Sequence, residues 1–242
     1  MKNMTNTVIE TETMTVDVLA SMIDLSAVRA DSDWNDVQSV ARLARQRCCV
    51  AAFSLPGFTA ALRDLLAGAP TTKIGGAVGF PGGGETTSMK VFQAKELLGL
   101  GCSEIDMVMN IGKMLSGSHD DVESDITAVK QAIGDVPLKV ILECNYLSDD
   151  QICRAAEIAV RAGADWVKTG TGWAAGGTTV KQVLLLRESI GGAARIKAAG
   201  GVHDLDTLLE LHRLGAERFG IGYKKARAIF EDAEKRNGSP DL

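Results

Sequence analysis

The chain has 242 residues, a formal net charge of −5 and 45% hydrophobic residues, values typical of a globular protein with a sizeable core. It has no stripe of lysine and arginine and no apolar run of about 18 residues, so neither nucleic acid nor a membrane is an expected partner. The five cysteines form no CxxC pair and the three histidines show no metal-ligand spacing. We therefore expect reduced thiols, no metal site and a cytoplasmic location.

The two ends of the chain differ from its middle. The opening segment "MKNMTNTVIETETMTVD" is polar and acidic, and it lacks the pattern of a signal peptide. We expect residues 1–15 to form a flexible tail and residues 237–242 to form another. No break in composition divides the rest, so residues 16–236 are predicted to be one domain.

Between the tails, short apolar runs alternate with amphipathic helical patterns. The predicted helices commonly begin at Asp, Ser or Thr and end at Gly, as helix capping favours. Eight strands alternating with helices predict a (β/α)8 TIM barrel. An open doubly wound sheet is the competing fold, but the GxGxxG turn typical of its dinucleotide-binding forms is absent. In chain order the predicted strands are "MIDLS", "CVAAFSL", "KIGGAVGF", "EIDMVMNI", "LKVILE", "DWVKTG", "RIKAAGG" and "RFGIG".

Four consecutive predicted strands carry ionisable residues. Active sites of such barrels lie at the carboxyl ends of the strands. A single charge there is most simply a solvated boundary residue, but this concentration predicts a buried network of both charge signs. Even spacing puts Lys139 and Glu143 on one face, so a purely structural pair of these two is an alternative. The residues are Asp106, Lys139, Glu143, Lys168 and Lys197.

Two lysines close together have a specific chemical use. Burial and the neighbouring ammonium both lower a lysine pKa, which yields a free amine. A free amine forms a Schiff base with a carbonyl, and a nearby carboxylate moves protons. The pattern indicates a class I aldolase that needs no cofactor.

Several stretches resemble the deoxyribose-phosphate aldolase family, over residues from about 20 to 230. The resemblance implies that Lys168 forms the Schiff base, that Lys197 perturbs it, and that Asp106 handles protons through a water. It places Asp24 and Ser26 near the pocket. The implied reaction is reversible cleavage of 2-deoxyribose 5-phosphate to acetaldehyde and glyceraldehyde 3-phosphate, by an enzyme that is often a dimer. The matching stretches are "IDLS", "GGAVGFPGGGETTSMKVFQAKELLGLGCSEIDMVMNIG", "KVILE", "GADWVKTGTG" and "IKAAGGV".

Three positions depart from the family pattern. Gly170 stands where the family motif KTSTG has serine, and Phe53 stands where the family has a cysteine three residues before a proline. The family's last strand ends in two serines that bind the substrate phosphate, but here the matching positions are Gly222 and Tyr223. A different phosphorylated sugar, or an unphosphorylated or carboxylated acceptor, is therefore an open alternative.

A phosphate site of different construction is still expected, because glycines allow close backbone approach and a helix follows the last strand. Lys224 or Lys225 would add charge there, or be only a solvated first turn. Trp173 either lines the pocket or packs its loop, and His203 is expected at the surface. The candidate substrate-binding residues are Asp24, Ser26, Lys139, Glu143, Thr169, Gly170, Thr171, Gly172, Gly200, Gly201, Gly220 and Gly222.

Two further functions compete with the aldolase. One is a barrel isomerase or dehydratase that also uses imine chemistry. The other is a non-catalytic sugar-phosphate-binding barrel in which the lysines are only salt-bridge partners. Trapping of a Schiff base on Lys168 separates both imine enzymes from the last.

Overall fold

Eight parallel strands form a closed barrel in the computed structural model, which describes residues 14–69 and 71–236. Each strand pairs with the next along the chain, and β8 pairs back with β1 to close the cylinder. The predicted TIM barrel is confirmed and the open sheet is wrong. The strands are β1 Ile23–Ala27, β2 Ala51–Ser54, β3 Lys73–Val78, β4 Glu104–Val108, β5 Leu138–Ile141, β6 Trp166–Lys168, β7 Arg195–Ala199 and β8 Ala216–Gly222.

Ten α-helices connect or flank these strands within the described residues. Six of them, α2, α4, α6, α7, α8 and α9, match amphipathic patterns that the sequence shows between the predicted strands, and α10 follows the last strand as expected. The short helices α1, α3 and α5 were not predicted, because each spans at most two turns and shows little periodicity. The helices are α1 Val16–Ser21, α2 Trp34–Arg47, α3 Thr59–Leu65, α4 Thr87–Gly99, α5 Ile111–Leu115, α6 His119–Ile133, α7 Asp149–Arg161, α8 Val180–Ile190, α9 Leu205–Arg213 and α10 Tyr223–Arg236.

The predicted tails fall almost wholly outside the described residues. Of the N-terminal tail only Met14 and Thr15 are described: Met14 is buried, and the Thr15 side chain accepts a hydrogen bond from the Val18 amide at the start of α1. None of residues 237–242 is described. Among the helices of residues 14–69 and 71–236, none combines the length and apolar character that crossing a membrane would need.

Capping boxes fix where several helices begin, and hence where the active-face loops end. Asp33, Ser148 and Thr179 each accept a hydrogen bond from the third residue of a helix, whose side chain accepts from the cap in return. Thr179 therefore closes the long loop between β6 and α8. Strand β6 fixes one end of this loop and the Thr179 cap fixes the other, so its residues stay at the mouth of the barrel.

The strands divide their side chains between two environments. Outward residues pack under the helices: Gly76 lies against Ile105 of β4 and Leu97 of α4. Inward residues fill the barrel, where bulky aliphatic side chains are usual. Here β4 instead directs Glu104 and Asp106 into the buried interior. The barrel centre is thus polar and needs internal charge pairing.

Candidate active site

Seven buried charged side chains meet inside the barrel, and we call them the charge cluster. Each is at most 8% exposed. Its three carboxylates and four cations leave one formal positive charge in excess when all are ionised. A buried excess charge is costly, so the cluster favours loss of one proton from a lysine. The members are Asp24, Glu104, Asp106, Lys139, Lys168, Lys197 and Arg218.

Asp106 is the centre of this cluster. Its Oδ2 accepts hydrogen bonds from Lys168 Nζ and Lys197 Nζ, both at 2.7 Å, and its Oδ1 lies 3.2 Å from Lys139 Nζ. Burial raises the pKa of the Asp106 carboxyl, but the charges of Lys168, Lys197 and Lys139 outweigh burial and hold that pKa well below its ordinary value. Asp106 is therefore ionised throughout the neutral range.

The floor of the cluster is a second set of ion pairs. Arg218 donates to Asp24 Oδ1 at 2.7 Å and to Glu104 at 2.9 Å, while Lys139 Nζ lies 2.6 Å from Glu104 Oε1. Lys197 bridges the two levels, because its Nζ is also 2.6 Å from Asp24 Oδ2. Removing any one of the three carboxylates would increase the uncompensated positive charge of the cluster.

Strand register explains why these residues meet. Lys168 and Lys197 are Cα partners across β6 and β7, as are Asp106 and Lys139 across β4 and β5. Partners at one level of a parallel barrel direct their side chains to the same layer. The predicted network is thus present for Asp106, Lys139, Lys168 and Lys197. Asp24 also pairs with Lys197, and it lines the pocket near which the resemblance placed it.

The two lysines at the top of the cluster differ in protonation. Burial lowers the pKa of Lys168 to about 8, helped by repulsion from Lys197 and opposed by Asp106. For Lys197 burial also lowers the pKa, but Asp106 and Asp24 together outweigh it and raise the pKa above its ordinary value. Lys168 is therefore the amine available for attack, and Lys197 stays an ammonium.

Glu143 does not join this network, which corrects the prediction of one shared face with Lys139. Strand β5 ends at Ile141, and Glu143 has a left-handed backbone with φ of 53°. Its carboxylate instead accepts hydrogen bonds from the Thr171 amide at 3.2 Å and from the Thr171 hydroxyl. Glu143 orders the loop after β6, and no Lys139–Glu143 pair exists.

The position of the Glu143 carboxylate also explains why residue 170 is a glycine. A Cβ at that position would lie 2.7 Å from Glu143 Oε1 and 3.3 Å from the Ala199 carbonyl oxygen. The serine of the family motif could fit only if Glu143 moved. Thr169 next to it has another structural role, because its hydroxyl bonds with Thr178 at 2.7 Å and accepts from the Ala199 amide at 2.9 Å.

The sequence did not predict two members of the charge cluster. Glu104 and Arg218 lie at the starts of their predicted strands, where charges usually meet solvent, and both are buried. A signal for Glu104 was present, since it precedes Asp106 by two residues and so shares its face. Arg218 offered none, because nothing in its segment places it opposite Asp24.

Lys168 opens onto a small pocket, the lysine pocket. It is continuous with a larger outer pocket, since Ser26, Val28, Thr171 and Gly220 line both. Five of the six glycines among the candidate substrate-binding residues border the outer pocket, namely Gly172, Gly200, Gly201, Gly220 and Gly222.

Two loops approach so closely that only glycine fits between them. A Cβ on Gly201, which has φ of +80°, would lie 2.4 Å from the Gly177 Cα. A Cβ on Gly200 would lie 3.2 Å from the Gly172 Cα. The loops after β6 and β7 thereby form one continuous backbone wall beside the outer pocket.

Trp173 both lines the outer pocket and packs its loop. Its indole nitrogen donates to the Val28 carbonyl at 3.0 Å, and its ring meets Phe80 edge-on with centroids 6.2 Å apart. The Arg29 guanidinium stacks 4.7 Å from the indole centroid and donates to the Gly172 carbonyl at 3.3 Å. Arg29 is therefore a fixed cation at the pocket wall.

The start of α10 forms the opposite wall. The Tyr223 hydroxyl donates to Asp36 Oδ1 at 2.6 Å, and Lys224 Nζ lies 3.5 Å from the same oxygen. The hydrogen bond from Tyr223 is the largest cause that lowers the pKa of Asp36, so this carboxylate offsets Lys224. Lys225 and the exposed His203 also border the pocket.

Among the residues that the structure describes, no group of three or more His, Cys, Asp or Glu side chains could hold a metal ion. What the site offers is a buried amine of lowered pKa, a carboxylate and a second ammonium at a barrel mouth. Such a combination defines the class of lysine-dependent aldolases.

The chain belongs to the DeoC/LacD family of aldolases, whose model matches residues 15–232. It is 46% identical to the deoxyribose-phosphate aldolase of Sinorhizobium medicae over 91% of this chain and 89% of that protein. It is 44% identical to that of Klebsiella pneumoniae, over 89% and 88%. Among solved structures it resembles the aldolase QR15, with a TM-score of 0.85, 30% identity and coverage of 94% and 100%.

Proposed function

We propose that the protein is a class I aldolase that reversibly cleaves 2-deoxyribose 5-phosphate to acetaldehyde and glyceraldehyde 3-phosphate. The observation that carries the proposal is the Lys168 amine, whose pKa of about 8 leaves a free fraction at neutral pH. Its neighbours Asp106 and Lys197 are hydrogen-bonded and buried. The family and the names of the relatives support the same reaction.

In the cleavage direction the neutral Lys168 amine attacks the substrate aldehyde carbon, and uptake of one proton with loss of water gives an iminium ion. The 3-hydroxyl then loses its proton and the C2–C3 bond breaks, so its electrons pass into the iminium as an enamine. Glyceraldehyde 3-phosphate departs. Protonation of the enamine carbon and hydrolysis then release acetaldehyde and restore the amine.

Asp106 and Lys197 are proposed to handle the protons of these steps. The Asp106 carboxylate stabilises the iminium by its charge and, through a water, receives the proton of the 3-hydroxyl. Because its pKa lies well below the ordinary value, it passes that proton on rather than storing it. Lys197 shares the same carboxylate oxygen and is the adjacent acid.

The outer pocket is proposed to receive the phosphate end of the substrate. Backbone amides at the start of α10 and along the glycine wall are suited to an anion, and Arg29 supplies a fixed charge. Asp24, Ser26, Lys139 and the Thr169–Gly172 loop shape or support the route between the two pockets. Lys139 supports this route by its ion pairs with the charge cluster, and Glu143 supports it by ordering the loop after β6.

An acceptor without phosphate is the second candidate, and one observation favours it. Asp31 and Asp36 also line the outer pocket, so its cations are partly offset. Measuring kcat/KM for 2-deoxyribose 5-phosphate and for 2-deoxyribose separates the two. Equal values would contradict a phosphate site there.

Borohydride reduction with substrate, followed by peptide mass analysis, tests the imine step. An adduct on Lys168 is expected, and its absence from the folded protein would exclude both the aldolase and an imine-forming isomerase or dehydratase. Product analysis then separates cleavage from isomerisation.

We further propose one barrel domain over residues 16–236, a reducing cytoplasmic setting and a homodimer. All five cysteines are free, and burial raises the pKa of Cys49, Cys102 and Cys144 to about 12, so they carry little thiolate. The structure of the Aeropyrum pernix enzyme, 25% identical with a TM-score of 0.81, is described as tetrameric. Sedimentation equilibrium would distinguish monomer, dimer and tetramer.

A further inference from the structure

One aromatic ring lies within the charge cluster. Phe53 of β2 is 4% exposed and borders the lysine pocket. The centre of its ring is 4.4 Å from Lys197 Nζ and 5.4 Å from Lys139 Nζ. These distances are those of cation–π contacts, which are strongest where water is excluded.

The neighbouring strand leaves room for this ring. Phe53 and Gly75 are Cα partners across β2 and β3. A Cβ on Gly75 would lie 2.0 Å from the ring Cζ of Phe53, well inside atomic contact. Since Gly75 does not have the positive φ that favours glycine, its lack of a side chain serves the ring and not a turn.

The Phe53 ring covers one side of the Lys197 ammonium, whose ion-pair partners are Asp24 and Asp106. The charged groups facing Lys197 come from the other strands, and β2 supplies only the aromatic face. Asp24 of β1 and Asp106 of β4 pair with Lys197 directly. The other charged groups pair with these two carboxylates or with each other, and they are Glu104 of β4, Lys139 of β5, Lys168 of β6 and Arg218 of β8.

We propose that Phe53 is a positioning residue that holds the Lys197 ammonium beside Lys168 and keeps water from between them, with Gly75 providing its space. Two ammonium groups repel most strongly in a dry setting. Water in place of the ring would weaken this repulsion and relieve the desolvation of Lys168. The consequence for catalysis, a free Lys168 amine near neutral pH, rests on the proposed function.

Two measurements test the proposal. NMR titration of the lysine 13Cε signals follows Lys168 and Lys197 without any substrate, and borohydride trapping with acetaldehyde follows imine formation on Lys168 against pH. Phe53→Ala should move the Lys168 midpoint upward from about 8 by about one pH unit and slow imine formation at pH 7 about tenfold.

Three further variants separate the ring from simple packing. Phe53→Tyr keeps the ring and should keep the midpoint. Phe53→Leu keeps apolar volume without the aromatic face and should lower the Lys197 midpoint. Phe53→Ala/Gly75→Ala fills part of the vacated space, so it should recover thermal stability while the Lys168 midpoint stays raised.

The results distinguish the positioning role of Phe53 from the proposed aldolase function. If Phe53→Ala and Phe53→Leu lower thermal stability but leave both lysine midpoints unchanged, the ring only packs the barrel and the inference is wrong. If wild-type protein forms no adduct but the NMR midpoints move as expected, the proposed function fails while the positioning role holds.

Discussion

Lys168 and Lys197 face each other across adjacent strands, and both ammonium groups donate to the same oxygen of Asp106 at 2.7 Å. One carboxylate therefore serves two cations, and it cannot neutralise both. Because Lys197 has Asp24 as a second partner and Lys168 has none, the proton deficit falls on Lys168. This asymmetry makes one of two neighbouring lysines a nucleophile.

The lowered pKa of Lys168 should cost stability. A pKa of about 8 instead of 10.5 corresponds to about 3 kcal/mol of folding free energy at neutral pH. Lys168→Met should therefore abolish trapping and raise the free energy of unfolding by about 1–3 kcal/mol in urea titrations. A variant that still forms the adduct would place the nucleophile elsewhere.

Lys90 offers a matched control outside the site. It is fully buried and pairs with Asp125 at 2.6 Å, and it does not contact the charge cluster. Lys90→Met should lower stability by about 3–5 kcal/mol, because it leaves Asp125 buried without its cation. Opposite signs for the two lysines would separate a functional lysine from a structural one.

The pH dependence of imine formation follows from the Lys168 pKa of about 8. The free-amine fraction of Lys168 rises with pH through about 8, so trapping at limiting aldehyde should rise from pH 6 and level off above about pH 9. The free-energy cost of burying the Lys168 ammonium decreases with pH. It is fully present below about pH 8 and disappears as the pH rises toward 10.5. The difference in unfolding free energy between wild type and Lys168→Met should shrink over that interval.

The charge of Lys197 is expected to set the pH midpoint at which Lys168 loses its proton. Lys197→Met removes the repulsion and the excess positive charge of the cluster, so Lys168 should keep its proton and trapping at pH 7 should fall at least about tenfold. Lys197→Arg retains a cation and should keep the midpoint nearer 8. Equal midpoints in all three proteins would contradict the electrostatic account.

The sequence predicted this upper layer of the site and not its surroundings. Lys168, Lys197 and Asp106 could be predicted because consecutive strands of a barrel are neighbours, and the period of two shows which residues share a face. Glu143 was misplaced because even spacing assumes a continuous strand, whereas the backbone turns left-handed there. Glu104 and Arg218 were missed because local sequence patterns do not show the barrel register, which buries these two charged residues near the starts of their predicted strands.

Arg29 should carry much of the preference for a phosphorylated substrate. It is fixed against Trp173, whereas Lys224 is offset by Asp36. Arg29→Gln should lower kcat/KM for 2-deoxyribose 5-phosphate by about 10–100-fold and leave that for 2-deoxyribose nearly unchanged. Lys224→Gln is the matched control, with a smaller loss. Equal losses on both substrates would indicate that Arg29 only supports the loop.

Gly170 and Glu143 should be coupled, since a Cβ on Gly170 would lie 2.7 Å from Glu143 Oε1. Gly170→Ala should displace the carboxylate from the Thr171 amide and hydroxyl, costing about 1–3 kcal/mol of stability and slowing turnover. Once Glu143→Ala has removed the obstruction, the added methyl should cost far less. A double-mutant cycle of urea unfolding measures this coupling, with an expected magnitude of at least about 1 kcal/mol. Additive effects would mean that the loop accommodates the methyl by another route, and that Glu143 does not require glycine at this position.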